Sequence, residues 1–233
     1  MILWLALFFL VMAISFILAF QSMREYQEIP LKSKEEYGLF LIRNITNLDA
    51  ELLKSLREHI ATDGLLISIE RLFKGQKAAL TIFGPKRILE NFREDLGLLE
   101  LEDYSLNLNS NDMHIWEMGT KSKQALPRTS IFKNLPSLAE EEQFLLQVVL
   151  GPKDGKNEAF QSQIRAAVYS KDPARRRELA HLLQNMTSEG LIKIPRPYSS
   201  EQMTSFYRLR SLGKDSQGPL LYPEKIVDLI KIS

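Results

Sequence analysis

Residues 65–83 read LLISIERLFKGQKAALTIF, and this stretch decides the fold. Leu65 to Leu72 and Ala78 to Phe83 are two apolar runs of strand length. Lys74-Gly75-Gln76-Lys77 between them has the composition of a hairpin turn. Upstream, GLFLIR (38–43) is a short apolar strand, and Asn47 is placed to cap a helix from Leu48 to Ala61. Leu48, Leu52, Leu56 and Ile60 share one face of that helix at i, i+4 spacing, and Asp63-Gly64 ends it. Downstream, Gly84-Pro85 stops the second hairpin strand and admits a helix from Lys86 to Leu96, with Ile88, Leu89 and Phe92 inward. Leu98 to Tyr104 (LLELEDY) then alternates, which predicts a half-buried strand with Leu99 and Leu101 inward and Glu100 and Glu102 outward.

The order β-α-β-β-α-β over residues 38–118 is the ferredoxin-like arrangement. Met113 to Met118 (MHIWEM) adds one more strand before a polar connector at residues 119–142, where Pro127 and Pro136 interrupt regular structure. Residues 143–233 read as a second α+β unit. Its strands are Gln143 to Leu150 and Phe160 to Ser170, followed by a helix capped by Asp172 with Leu179, Leu182, Leu183 and Met186 on one face. A strand at Leu191 to Pro195, a helix capped by Ser199 or Ser200, and a final helix from Pro223 to Ile230 complete it. This unit repeats the first in abbreviated form, lacking one helix. The expected fold is α+β, with two ferredoxin-like units behind an N-terminal transmembrane helix.

That helix is residues 1–20, MILWLALFFLVMAISFILAF, in which Ser15 is the only polar side chain. About twenty helical residues span the hydrocarbon core of a bilayer. A cleavable signal peptide would begin with positive charge, whereas the first basic residue here is Arg24. A buried core helix is the alternative, but a helix apolar all round has few places to hide in a body this small. Arg24, Lys32 and Lys34 follow the apolar run within the connector 21–37. The positive-inside rule then predicts a single-pass protein of the inner or cytoplasmic membrane with its body in the cytoplasm.

Chemistry is sparse in the rest of the chain. With no cysteine there is no thiol nucleophile and no thiolate metal site, and His59, His114 and His181 offer no pair at ligand spacing. Gly84-Pro85-Lys86 and Gly151-Pro152-Lys153 carry proline where a phosphate loop needs a free amide. No catalytic residue, metal or cofactor is expected, and the acidic runs Glu100, Glu102, Asp103 and Glu140 to Glu142 read as solvated surfaces. The formal net charge of +1 argues against wholesale coating of nucleic acid. Charge is nevertheless uneven: acidic residues outnumber basic ones from Gly38 to Met118, and the reverse holds from Phe160 to Ser233. Arg175, Arg176, Arg177, Lys193 and Arg196 form the candidate contact for phosphate or for a partner.

Three stretches carry a resemblance: Ser68 to Tyr104, EEEQFLLQVVL (140–150), and QIRAAVYSKDPARRRELAHLL (163–183). Together with the tail LLYPEKIVDLIKI, the pattern resembles the non-motor region, a membrane anchor plus ferredoxin-like units, that precedes the ATPase domain of type IV secretion and conjugation coupling-protein-like ATPases. No motor domain is expected within these 233 residues. The resemblance implies a non-catalytic, membrane-anchored assembly or adaptor subunit, with a protein partner that could be a separately encoded ATPase motor. The alternative is an accessory protein that handles nucleic acid through its basic C-terminal unit.

Overall fold

The computed structural model describes residues 4, 8–16, 35–107, 109–120, 135–153, 158–186, 191–195, 198–212 and 218–230. Nine strands form one sheet: β1 (Tyr37–Leu41), β2 (Ile67–Lys74), β3 (Lys77–Pro85), β4 (Leu99–Leu101), β5 (Met113–Thr120), β6 (Gln143–Pro152), β7 (Phe160–Tyr169), β8 (Leu191–Ile194) and β9 (Leu220–Leu221). Among the described residues after position 35, six α-helices accompany them: α1 (Ala50–Asp63), α2 (Lys86–Glu90), α3 (Arg93–Leu96), α4 (Pro173–Met186), α5 (Ser200–Leu209) and α6 (Pro223–Ile230). The expected α+β class holds, and every strand pairing is antiparallel.

The strand order is β4-β1-β3-β2-β6-β7-β5-β8, with β9 added to β7. The hairpin of residues 65–83 is β2–β3, closed by Gly75 at φ 54°. Its outer neighbours β1 and β4 are reached through α1 and through α2–α3. The second half has the same order in mirror sequence along the sheet: β6 and β7 are its hairpin, β5 lies beside β7, and β8 beside β5. From the sequence, Met113 to Met118 trails the first unit. In the structure this strand bonds to β7 and β8, with Trp116 opposite Ala166 and Met118 opposite Lys193. The two halves meet where β2 pairs with β6 from Ile67↔Leu150 to Lys74↔Gln143, so a single sheet runs through both.

One face of the sheet carries the main core. Phe40, Ile69, Leu80, Ile82, Leu146, Val148, Ile164 and Val168 pack there against α1, α4 and α6. Helix α1 presents Leu53, Leu56 and Ile60. Its cap is Asp49, which accepts the Leu52 amide at 2.9 Å; Asn47 instead ends a 3-10 turn and donates to the Asp95 carbonyl at 2.7 Å. The helix expected from Lys86 to Leu96 is two short ones, interrupted at Asn91 and Phe92. In α4, Leu179 and Leu183 are buried while Leu182 stays 40 % exposed. Helix α1 touches β6, and α6 touches both α1 and β2. The C-terminal helix thus lies beside α1, in the place a crossover helix of the second half would take if the halves are exchanged about the β2–β6 seam.

The opposite face is covered by α5, begun by a capping box in which Ser199 and Gln202 bond reciprocally. Near the β4 edge the side-chain parity departs from expectation. Glu100 lies opposite buried Phe40 on the helix-covered face, where it pairs with Lys86 at 2.7 Å. Leu99 and Leu101 point to the other face and remain 42 % and 37 % exposed. An edge strand of three residues has no second layer above it there, so alternation alone could not say which face was inward.

Of the expected membrane span, residues 4 and 8–16 are helical and the others lie outside the described residues. Among the described residues no helix is long and apolar enough to cross a membrane.

Candidate functional site

The cations singled out from sequence separate in the structure. Arg175 is bound to Glu142 at 3.0 Å, to Glu178 at 3.0 Å and to the Ser137 carbonyl at 2.9 Å. Arg177 donates to the Pro173 carbonyl at 3.2 Å, within its own helix. Arg176 donates to the Ser170 carbonyl at 2.5 Å. Lys193 is exposed on edge strand β8, and Arg196 lies outside the described residues. Two of the five do converge: burial first, then the charges of Lys193 and Arg176, hold the His114 pKa below its ordinary value. His114 sits 3.5 Å from the Gln184 amide of α4.

A denser polar constellation lies on the sheet face under α5. Thr81, Glu70, Gln147, Arg165 and Glu117 are successive partners across β3, β2, β6, β7 and β5, and form one transverse row. All five are buried, Glu70 and Gln147 completely. Gln147 spans the seam between the halves. Its amide donates to Glu70 at 3.1 Å and to the Tyr207 carbonyl at 3.0 Å, while its carbonyl accepts from Arg165 at 3.2 Å. Arg165 also donates to the Ser211 carbonyl at 2.6 Å and lies 3.7 Å from Glu117, which accepts from Gln163.

Arg210 closes the row from above. It follows α5 at φ 48°, and is the one non-glycine residue at positive φ among the described residues. A side chain in that region costs about 1–2 kcal/mol. In return the conformation turns the guanidinium down onto Glu70 at 2.7 Å and onto Asp103 at 2.8 and 3.0 Å, over the Phe83 ring at 3.9 Å. Tyr104 donates to Glu70 at 2.6 Å and shares a 2.9 Å hydrogen bond with Tyr207. Burial, and then the Glu70 charge, hold both phenols well above their ordinary pKa. Both stay protonated as donors at physiological pH.

Burial pushes the Asp103 carboxyl up, but the Arg210 guanidinium and the Ser105 hydroxyl outweigh it, so Asp103 titrates below the usual carboxylate range. A depressed folded pKa stabilises the fold above the unfolded value and loses that contribution as pH falls through the folded one. Asp103→Asn is therefore expected to cost about 1.5–3 kcal/mol at neutral pH. It is also expected to flatten the loss of stability below roughly pH 4. Urea titrations of both proteins from neutral to acid pH measure this, and parallel curves would exclude the assignment.

Together with Arg210 and Asp103, the row brings three carboxylates and two arginines under a helix, consumed by one another. It supplies internal ion pairing and register, with no nucleophile beside a general base. Among the described residues no group of His, Asp and Glu is arranged to hold a metal ion. In the sequence Glu70, Gln147, Arg165 and Glu117 form no motif, because each is separated from the others and set in a largely apolar strand. That isolation was the available signal: a single charge inside a buried strand requires a partner. No protein-family model matches the chain, and no curated protein is similar to it.

Proposed function

We propose that this protein is a membrane-tethered, non-catalytic assembly or adaptor subunit whose body stands at the cytoplasmic face. One observation carries the reading. Residues 8–16 are helical, and Phe8, Phe9, Leu10, Val11, Met12, Ile14 and Phe16 are each about half exposed or more, from 49 % to 72 %. So many large apolar side chains in one helical stretch mark a surface that needs a non-aqueous environment. Arg24, Lys32 and Lys34 beyond it give the orientation. The body adds a ferredoxin-like character: in each half, antiparallel strands in the order 4-1-3-2 place the first strand between the third and fourth. The resemblance to the non-motor region of type IV secretion and conjugation ATPases supports a protein partner, such as a separately encoded motor.

Replacing Leu10 and Ile14 by arginine tests the tether. Each arginine at the centre of a span costs about 2.5–3.5 kcal/mol of insertion. The native chain is expected to stay with membranes through alkaline carbonate and to leave only with detergent, and the double variant to appear in the supernatant. A native chain extracted by carbonate alone would overturn the proposal. Nucleic-acid handling is the weaker reading, because Arg175 and Arg177 are engaged locally. Arg176 is engaged too, at the Ser170 carbonyl, which leaves exposed Lys193 near His114 as its main support.

A further inference from the structure

The sheet ends on two short strands, β4 and β8, and among the described residues neither has a strand on its outer side. Each strand in the order runs opposite to the one beside it, so β4 and β8, first and eighth, also run opposite to each other. Register ties the two rims together residue by residue. The transverse row that starts at Glu100 passes through Phe40, Val148 and Met118 and ends at Lys193. Leu99 starts the neighbouring row, which runs through Glu70, Gln147 and Arg165 and ends at Ile194.

At these matching positions the rims are opposite in charge. Lys86 lies between Glu36 at 2.6 Å and Glu100 at 2.7 Å, so one ammonium faces two carboxylates and the β4 rim keeps a negative surplus. Lys193 is exposed, and among the described residues it enters no ion pair. The other face matches in polarity: Leu99 and Leu101 are exposed on β4, Ile192 and Ile194 half-buried on β8. An open edge is a template for a further strand, and charges directly opposed across such a pair attract when opposite and repel when alike. Pairing β4 with β4 about its centre would oppose Glu100 to Glu100, and pairing β8 with β8 in the same way would oppose two lysines.

We propose that the partner of these edges is a second copy of this chain, β4 of one copy adding to β8 of the next, with Glu100 opposite Lys193 and Leu99 and Leu101 opposite Ile194 and Ile192. The antiparallel alternation then continues unbroken from one copy into the other. Because the two surfaces differ, the contact is head to tail, and a joined pair still offers one edge of each kind to further copies. Three paired residues make a small contact, of the weak and transient class.

Disulfide trapping of the full chain in detergent captures so weak a contact, and a sequence without cysteine makes engineered thiols unambiguous. Leu99→Cys copies mixed with Ile194→Cys copies and mildly oxidised are expected to form a cross-linked dimer. Leu99→Cys copies alone, or mixed with copies carrying Gln76→Cys on the exposed β2–β3 turn, are expected to give at least about fivefold less. Adding Glu100→Lys to the Leu99→Cys copy is expected to lower the yield about fivefold, and adding Lys193→Glu to the Ile194→Cys copy as well is expected to restore it. Restoration also shows that the reversed copies fold. A yield from the Leu99→Cys and Ile194→Cys mixture no higher than that with Gln76→Cys would overturn the contact. Equal trapping by Leu99→Cys alone would overturn the head-to-tail arrangement, and a yield indifferent to both charge reversals would exclude the pairing of Glu100 with Lys193.

Discussion

Arg210→Met is expected to lower the unfolding free energy by about 3–5 kcal/mol, because it leaves Glu70 as a buried, uncompensated charge. Glu70 is completely inaccessible, and Arg210 is its only basic partner at ion-pair distance among the described residues. The hydrogen bonds from Tyr104, Ser68 and Gln147 remain in the variant but carry no opposite charge. Adding Glu70→Leu to Arg210→Met is expected to recover most of the loss. The buried pair is then replaced by apolar volume, Tyr104 and Tyr207 keep each other, and partly exposed Asp103 can be hydrated. Urea unfolding of the two variants measures this. A single variant within about 1 kcal/mol of the native chain would show that water reaches Glu70.

The second large effect belongs to the C-terminal helix. Ile226 and Ile230 are completely buried and Leu229 nearly so, in the same core as Leu53 and Leu56 of α1. Ile226→Ala is expected to cost about 2–5 kcal/mol through lost contacts and the cavity left behind. Ile226→Asp, which buries a charge with no cation provided for it, is expected to take most of a total stability of about 5–15 kcal/mol. Amide hydrogen exchange should show the loss in β2 and α1, the elements that α6 touches. Loss of protection confined to residues 223–230 would mean that α6 is an appendage rather than part of the core.

Much of this architecture was legible locally. The Lys74 to Lys77 turn, the Ser199 cap and the Pro223 helix start are short-range signals, and each falls where the residues put it. Strand partners are long-range facts, which periodicity does not contain. Nothing in MHIWEM says that its neighbours are β7 and β8 rather than the strands just before it in the chain. The polar row was hidden for the same reason: neighbours in the row Glu70, Gln147, Arg165 and Glu117 are 18 to 77 positions apart in the chain and become one feature only through register. Adjacency misled in the opposite direction at Arg175, Arg176 and Arg177. Consecutive residues on a helix point about 100° apart, so a basic tripeptide is three separate environments. In the structure one faces Glu142, one the end of β7 and one its own helix.

The seam between β2 and β6 also decides which strand edges the sheet leaves open. Taken alone, each half would end on its hairpin's outer strand, ISIERLFK in one and QFLLQVVLGP in the other, long and apolar with a full row of unpaired amides. Such edges recruit further strands and seed insoluble assemblies. Joining the halves hides both edges at once, and among the described residues leaves open the three residues of β4, with Glu100 among them, the four of β8, with Lys193 exposed, and the two of β9. Each half acts as the other's gatekeeper, so what looks like duplication for its own sake is a safeguard that neither copy could provide for itself.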